Sequence, residues 1–143
     1  MKTLECSSRG DKRFSAFYAN VEINGISNSI ETWYQMAKRN VEGNIPGKGK
    51  PVAYMINPFT NNKLPATELT NFYYTLWLRY FKQNPNLLKY AQEFDNFTDM
   101  FRGKCKNCQA DVIADCVKDI EAVRTRIKNT VFYKDCMCNK IRR

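Results

Sequence analysis

Histidine is absent from this chain of 143 residues. That absence removes the Ser-His-Asp and Cys-His nucleophile systems and any imidazole metal ligand. Acid–base chemistry must then rest on carboxylates, lysine, tyrosine or cysteine. Long apolar runs are missing too: no stretch approaches the roughly eighteen residues a membrane-spanning helix needs, so no membrane span is expected. The opening residues, M-K-T-L-E-C-S-S-R-G-D, lack the apolar centre of a secretory signal, which places the expected location in the cytoplasm. No internal repeat or interdomain linker breaks the chain, so residues 1–143 read as one domain.

What is present is a basic, aromatic-rich composition. Apolar residues make up 43% and aromatics 13%, enough to fill a core. The formal net charge of +9 points to an anionic partner such as nucleic acid, a nucleotide or a phosphorylated substrate; solubility is the plainer use of surplus lysine. In a cytoplasmic setting the six cysteines are expected as thiols instead of a disulfide frame. Cys105-x-x-Cys108 and Cys136-x-Cys138 do not form the two matched knuckles of a zinc ribbon, so no metal is assigned; a zinc-stabilised interaction domain is the reading this sets aside. Redox use of the C-x-x-C pair lacks the βαβ context that such motifs have.

Residues 13–38 concentrate the chemistry. An aromatic segment, R-F-S-A-F-Y, leads to a weak strand over Val21–Asn24 and the turn dipeptide Asn24–Gly25. Ser29 is placed to cap a helix starting at Ile30 and stopping before Gly43, with Trp33, Tyr34 and Ala37 available for packing. Glu31 and Gln35 share one face of that helix, and Lys38 follows one turn along the same side. Lys48 and Lys50 sit in a glycine- and proline-rich loop that lacks the Ser or Thr and the following helix of a Walker motif. It reads as a flexible loop, with phosphate contact the less favoured use.

Farther on, Val52–Ile56 is β-prone and Asn57–Pro58 breaks it. A helix from about Thr67 carries Leu69, Phe72, Tyr73, Leu76 and Tyr80 on one face, widened by Trp77 and Phe81, and is the expected core helix. Asn84 is read as the cap of a short helix begun by Pro85, burying Leu87, Leu88, Ala91 and Phe94. A compact loop precedes one long helix from about Gln109 to Asn129, with Ile113, Val117, Ile120 and Ile127 inward. The basic end, about residues 130–143, is expected to be partly mobile. The fold class is therefore α+β, a single, mostly helical domain with a few short strands.

The pattern F-S-x-F-Y, a short strand, N-G, then S-x-E-x-x-Y-Q-x-x-K resembles the NADAR (YbiA-like) proteins. Phe14, Ser15 and Phe17 match the first part of that family's signature, Gly25 the turn, and Glu31, Gln35, Ala37 and Lys38 the helix. Near the later signature, a Trp-Gly pair followed by a K-N dipeptide and a helix, stand Phe101, Arg102 and Gly103, then Lys106 and Asn107. The resemblance covers roughly residues 13–120; Thr32 stands where the family has histidine, and Phe101 where it has tryptophan.

The resemblance implies a NADAR-like fold and an N-glycosidase acting on an ADP-ribosyl or ribosyl-phosphate compound, free or as ADP-ribosylated nucleic acid, without a cofactor. Glu31 would stabilise the oxocarbenium-like centre of N-glycosidic cleavage or position water. Lys38 would hold phosphate or attack an opened ribose aldehyde. Asp95, Asp99 and Asp111 flank the second signature; Asp99, nearest to it, is taken as the second catalytic carboxylate. Phe17, Tyr18, Trp33, Tyr34 and Phe101 would stack on the base. Arg13, Phe14 and Gln35 complete the substrate contacts, with Arg102, Gly103, Lys106 and Asn107 around a diphosphate. A non-catalytic basic module that binds such a nucleotide, or nucleic acid, is the alternative.

Overall fold

The computed structural model describes residues 2–100 and 109–133, an α+β domain with five α-helices and seven short strands among them. At its centre lies helix α2 (Leu69–Gln83), buried at Phe72, Tyr73, Leu76, Trp77, Leu78, Tyr80 and Phe81. A helix apolar over so much of its circumference has to be enclosed. Around it pack α1 (Ile30–Ala37), α3 (Pro85–Ala91), α4 (Gln109–Lys118), α5 (Ile120–Lys128) and strand β2 (Asn20–Ile23).

The strands form three small sheets. β1 (Thr3–Glu5) runs parallel to β7 (Asn96–Thr98), with the buried Leu4 and Phe97 in register. β2 pairs antiparallel with β3 (Ile26–Ser29) across a two-residue turn in which Asn24 and Gly25 have φ of 53° and 84°. Two positive φ values in succession are what a type I′ hairpin requires, and Asn-Gly supplies them with little strain. β4 (Lys38–Arg39), β5 (Tyr54–Ile56) and β6 (Lys63–Pro65) make the third sheet, all antiparallel.

Three expectations need correction. The helix from Ile30 does stop before Gly43, but Lys38, expected on its face, lies beyond its end at Ala37: Lys38 turns extended (φ −76°, ψ 145°) and enters β4. The single helix over 109–129 is two. Asp119 interrupts it with φ −157°, and its carboxylate accepts the Ala122 N–H to cap α5. Asn84 stands at the N-cap position of α3 as expected, but its side chain makes no cap bond; its Nδ2 turns back to donate to the Tyr80 carbonyl at 2.9 Å, closing α2 instead. Of the basic end, residues 130–133 are described, with Phe132 fully buried and its ring 5.6 Å from Phe72; residues 134–143 lie outside the described residues. Among the described residues no helix is long and apolar enough to cross a membrane.

Candidate functional site

The first turn of α1 is fixed from three sides. The Ile30 N–H donates to the Ala19 carbonyl and the Glu31 N–H to the Ala16 carbonyl, both at 2.9 Å. Ser29 Oγ accepts the Thr32 N–H at 3.1 Å, as its cap position requires. These amides are the ones a helix leaves without internal partners. Because the protein's own oxygens take them, the helix start serves to hold Glu31 in place and not as an anion cradle.

Helical spacing then separates two faces. Ile30, Trp33 and Ala37 point into the core, whereas Glu31, Tyr34, Gln35 and Lys38 follow one another along the other side. Gln35 Nε2 donates to Glu31 Oε2 at 2.9 Å, on the exposed surface. Although Lys38 has left the helix, its Nζ lies 4.5 Å from the centre of the Tyr34 ring, and that ring tilts against Tyr73 at 5.0 Å. Burial pushes the Lys38 amine below the ordinary lysine range, and the Glu31 charge opposes that shift only in part. The structure thus brings together Glu31, Tyr34, Gln35 and Lys38.

Other expected contacts lie elsewhere. Phe14 is fully buried, its ring 6.2 Å from Phe81 and 6.1 Å from Tyr90, so it is placed in the core and not against a ligand. Trp33 is likewise core: its Nε1 donates to the Val21 carbonyl at 2.8 Å, which locks α1 onto the hairpin. Arg13 is exposed but engaged, with Nε and Nη2 bonded to Asp11 at 2.9 and 2.7 Å and its guanidinium over Tyr90. Phe17 and Tyr18 do present ring surface, being 57% and 52% exposed, with Lys12 Nζ 5.0 Å from the Tyr18 ring.

Asp99 is nearly buried, and its Oδ2 accepts from Gln109 Nε2 at 2.8 Å. Gln109 Oε1 in turn accepts the Ala16 N–H at 2.7 Å. Asp99 is therefore linked to the α1 start through Gln109 and Ala16. Asp95 accepts from the Lys2 N–H, and Asp111 lies exposed in the first turn of α4. Phe101, Arg102, Gly103, Lys106 and Asn107, with the Cys105–Cys108 pair, lie outside the described residues, as do Cys136 and Cys138.

Gln109 is the residue that sequence reasoning passed over, naming it only as a helix start. The signal was its spacing: it precedes the buried Val112, Ile113, Cys116 and Val117 on one helical stripe, where a polar side chain has to be bonded.

A hollow of about 550 Å³ lies in the loop after β4, lined by residues including Val41, Glu42, Ile45, Pro46, Lys50 and Val52; Lys50 is the less favoured phosphate contact named above, and none of the described catalytic or substrate-binding candidates borders it. We locate the site on the α1 face because orientation and titratable groups meet there. That face offers a carboxylate on a fastened helix turn, an amide bonded to it, and a half-buried amine above an aromatic ring. Among the described residues no group of three or more Cys, Asp or Glu is arranged to hold a metal ion. No model of a known protein family matches the chain, and no curated protein matches it.

Proposed function

We propose that this chain is a cytoplasmic N-glycosidase that hydrolyses an N-glycosidic bond in an ADP-ribosyl or ribosyl-phosphate substrate, free or attached to nucleic acid. The observation that carries this reading is Glu31 on a helix turn fastened by backbone bonds, with its carboxylate bonded by Gln35 and facing the charge of Lys38. The spacing of these three residues is also the most specific part of the resemblance to the NADAR proteins.

In the reaction the C–N bond breaks heterolytically, and the electron pair leaves with the base. The anomeric carbon becomes cationic, and a nearby carboxylate stabilises it. Water then adds its oxygen to that carbon, and Glu31 receives the released proton and passes it on to the departing base. Lys38 acts as a point charge toward phosphate, or as an amine toward the ring-opened ribose aldehyde, for which a lowered affinity for protons is favourable. Phe17 and Tyr18 are the exposed rings suited to a base, together with Tyr34 beneath Lys38. Glu31→Gln tests the reading: release of base from an ADP-ribosylated nucleotide should fall by roughly a hundredfold or more, with the fold intact. Unchanged turnover removes the assignment.

One other reading has an observation of its own. The net charge of +9, with Lys12 over the exposed Tyr18 and Phe17 alongside, suits a basic module that grips a nucleotide or nucleic acid without altering it. It requires salt-dependent binding of intact ligand and no product.

A further inference from the structure

Gln109 lies on the buried stripe of α4, where an amide is tolerated only if its polar atoms are engaged. Both ends of it are, toward Ala16 and toward Asp99. The carboxylate fixes which way round the amide lies, because its oxygen accepts and only the NH2 end donates. With NH2 on Asp99, the amide oxygen faces Ala16. Ala16 is itself buried, and its carbonyl accepts the Glu31 N–H. A single chain of hydrogen bonds thus runs Asp99, Gln109, Ala16, Glu31, through three distant parts of the sequence.

Asp99 is held from the other side as well. Glu5, the last residue of β1, accepts from Thr98 Oγ1 at 2.8 Å and from the Met100 N–H at 3.1 Å. One carboxylate therefore grips both neighbours of Asp99. Burial works against that charge, yet hydrogen bonds from Ser7, Thr98 and Met100 leave the Glu5 carboxyl below its ordinary range. The adjoining loop closes tightly on the same residue. A Cβ at Gly10 would fall 2.3 Å from both Cγ and the backbone oxygen of Glu5.

We infer that Gln109 is a positioning residue: oriented by Asp99, it sets the Ala16 peptide and through it the first turn of α1 that carries Glu31. Asp99 then acts beneath the site without touching substrate. The catalytic consequence rests on the glycosidase reading, whereas the hydrogen-bond chain is measurable without turnover.

Two variants of the full chain test this. Gln109→Met keeps the volume and removes both bonds. Gln109→Glu sets two carboxyl groups against each other, which one shared proton reconciles: the O–H donates to Asp99 while the other oxygen accepts the Ala16 N–H. Such a pair holds its proton above the ordinary carboxyl range, so the link exists in acid and is lost as pH rises through that raised value. The readouts are amide exchange at Ala16 and Glu31 by NMR, and kcat and KM for base release from an ADP-ribosylated nucleotide.

Gln109→Met should expose both amides and lower kcat roughly a hundredfold while KM stays within about twofold. Gln109→Glu should regain amide protection and kcat in acid and lose them reversibly at higher pH. If the Glu31 amide and kcat of Gln109→Met match the native protein, the inference fails and the glycosidase reading stands. If the native protein releases no base but the two amides respond together, the glycosidase reading fails and the positioning of Glu31 stands. Should Gln109→Met not fold, Gln109→Glu decides, and a pH-independent Glu31 amide in it overturns the inference.

Discussion

The α1 face and the loop over residues 40–53 offer different properties to a ligand. The loop has a hollow, yet its walls are largely Val41, Ile45, Pro46, Pro51 and Val52, and its turn is held locally by Asn40 Oδ1, which accepts the Glu42 and Asn44 N–H groups. The α1 face has the titratable groups, and the helix beneath them is fastened at both ends. Ala16, Ala19 and Ser29 hold its start, and the pairing of Lys38 with Met55 in β5 holds its finish. Reactivity depends on orientation more steeply than on volume, which favours the fastened face.

Breaking the chemistry on that face should give the largest effect. Lys38→Met is expected to lower base release by roughly a hundredfold or more while leaving the melting temperature unchanged or higher, because methionine removes a half-buried charge. Titration sharpens the same point. Burial lowers the Lys38 affinity for protons and Glu31 partly restores it, so acylation of Lys38, followed by mass spectrometry, should have its midpoint below that of exposed lysines. Glu31→Gln should lower that midpoint further. The folded state binds this proton less tightly than the unfolded chain does. Its contribution to stability therefore improves as pH rises from the folded value toward the ordinary lysine value.

Smaller effects follow from the fastenings. Trp33→Phe keeps most of the packing but removes the indole N–H that bonds the Val21 carbonyl, and chemical denaturation should show a loss of about 1 kcal/mol. Ser29→Ala removes the α1 cap and should lose about 1 kcal/mol by the same measurement. Least of all should come from the hollow: Val41→Ala and Lys50→Ala are expected to stay within about 0.5 kcal/mol of the native protein, with base release unchanged. If Lys50→Ala abolished turnover, the hollow would be the site and the comparison would reverse.

How far the sequence discloses this arrangement depends on the range of the interactions. The Asn24–Gly25 turn, the Ser29 cap and the apolar face of α2 are legible because each is decided within a few residues. The parallel pairing of β1 with β7 is not, since three-residue strands show no period and Leu4 meets Phe97 from the far end of the chain. The break at Asp119 is masked by spacing: Val117, Ile120 and Ile127 keep helical intervals across it, although aspartate before Ile120 is itself a cap signal. At the site, the sequence places Glu31, Gln35 and Lys38 together. It leaves open that Phe14 and Trp33 turn inward, because an aromatic's burial depends on which elements pack over it. The link from Asp99 to Ala16 through Gln109 likewise exists only in three dimensions.

The central claim is that the fastened α1 face does chemistry on a nucleotide sugar. Its most direct test is mass spectrometry of a panel of ADP-ribosylated and ribosyl-phosphate compounds after incubation with the native chain. The account predicts loss of base mass from at least one compound, with free base and the hydrated sugar appearing together. Compounds retained in salt-dependent complexes with their masses unchanged across the panel would contradict it.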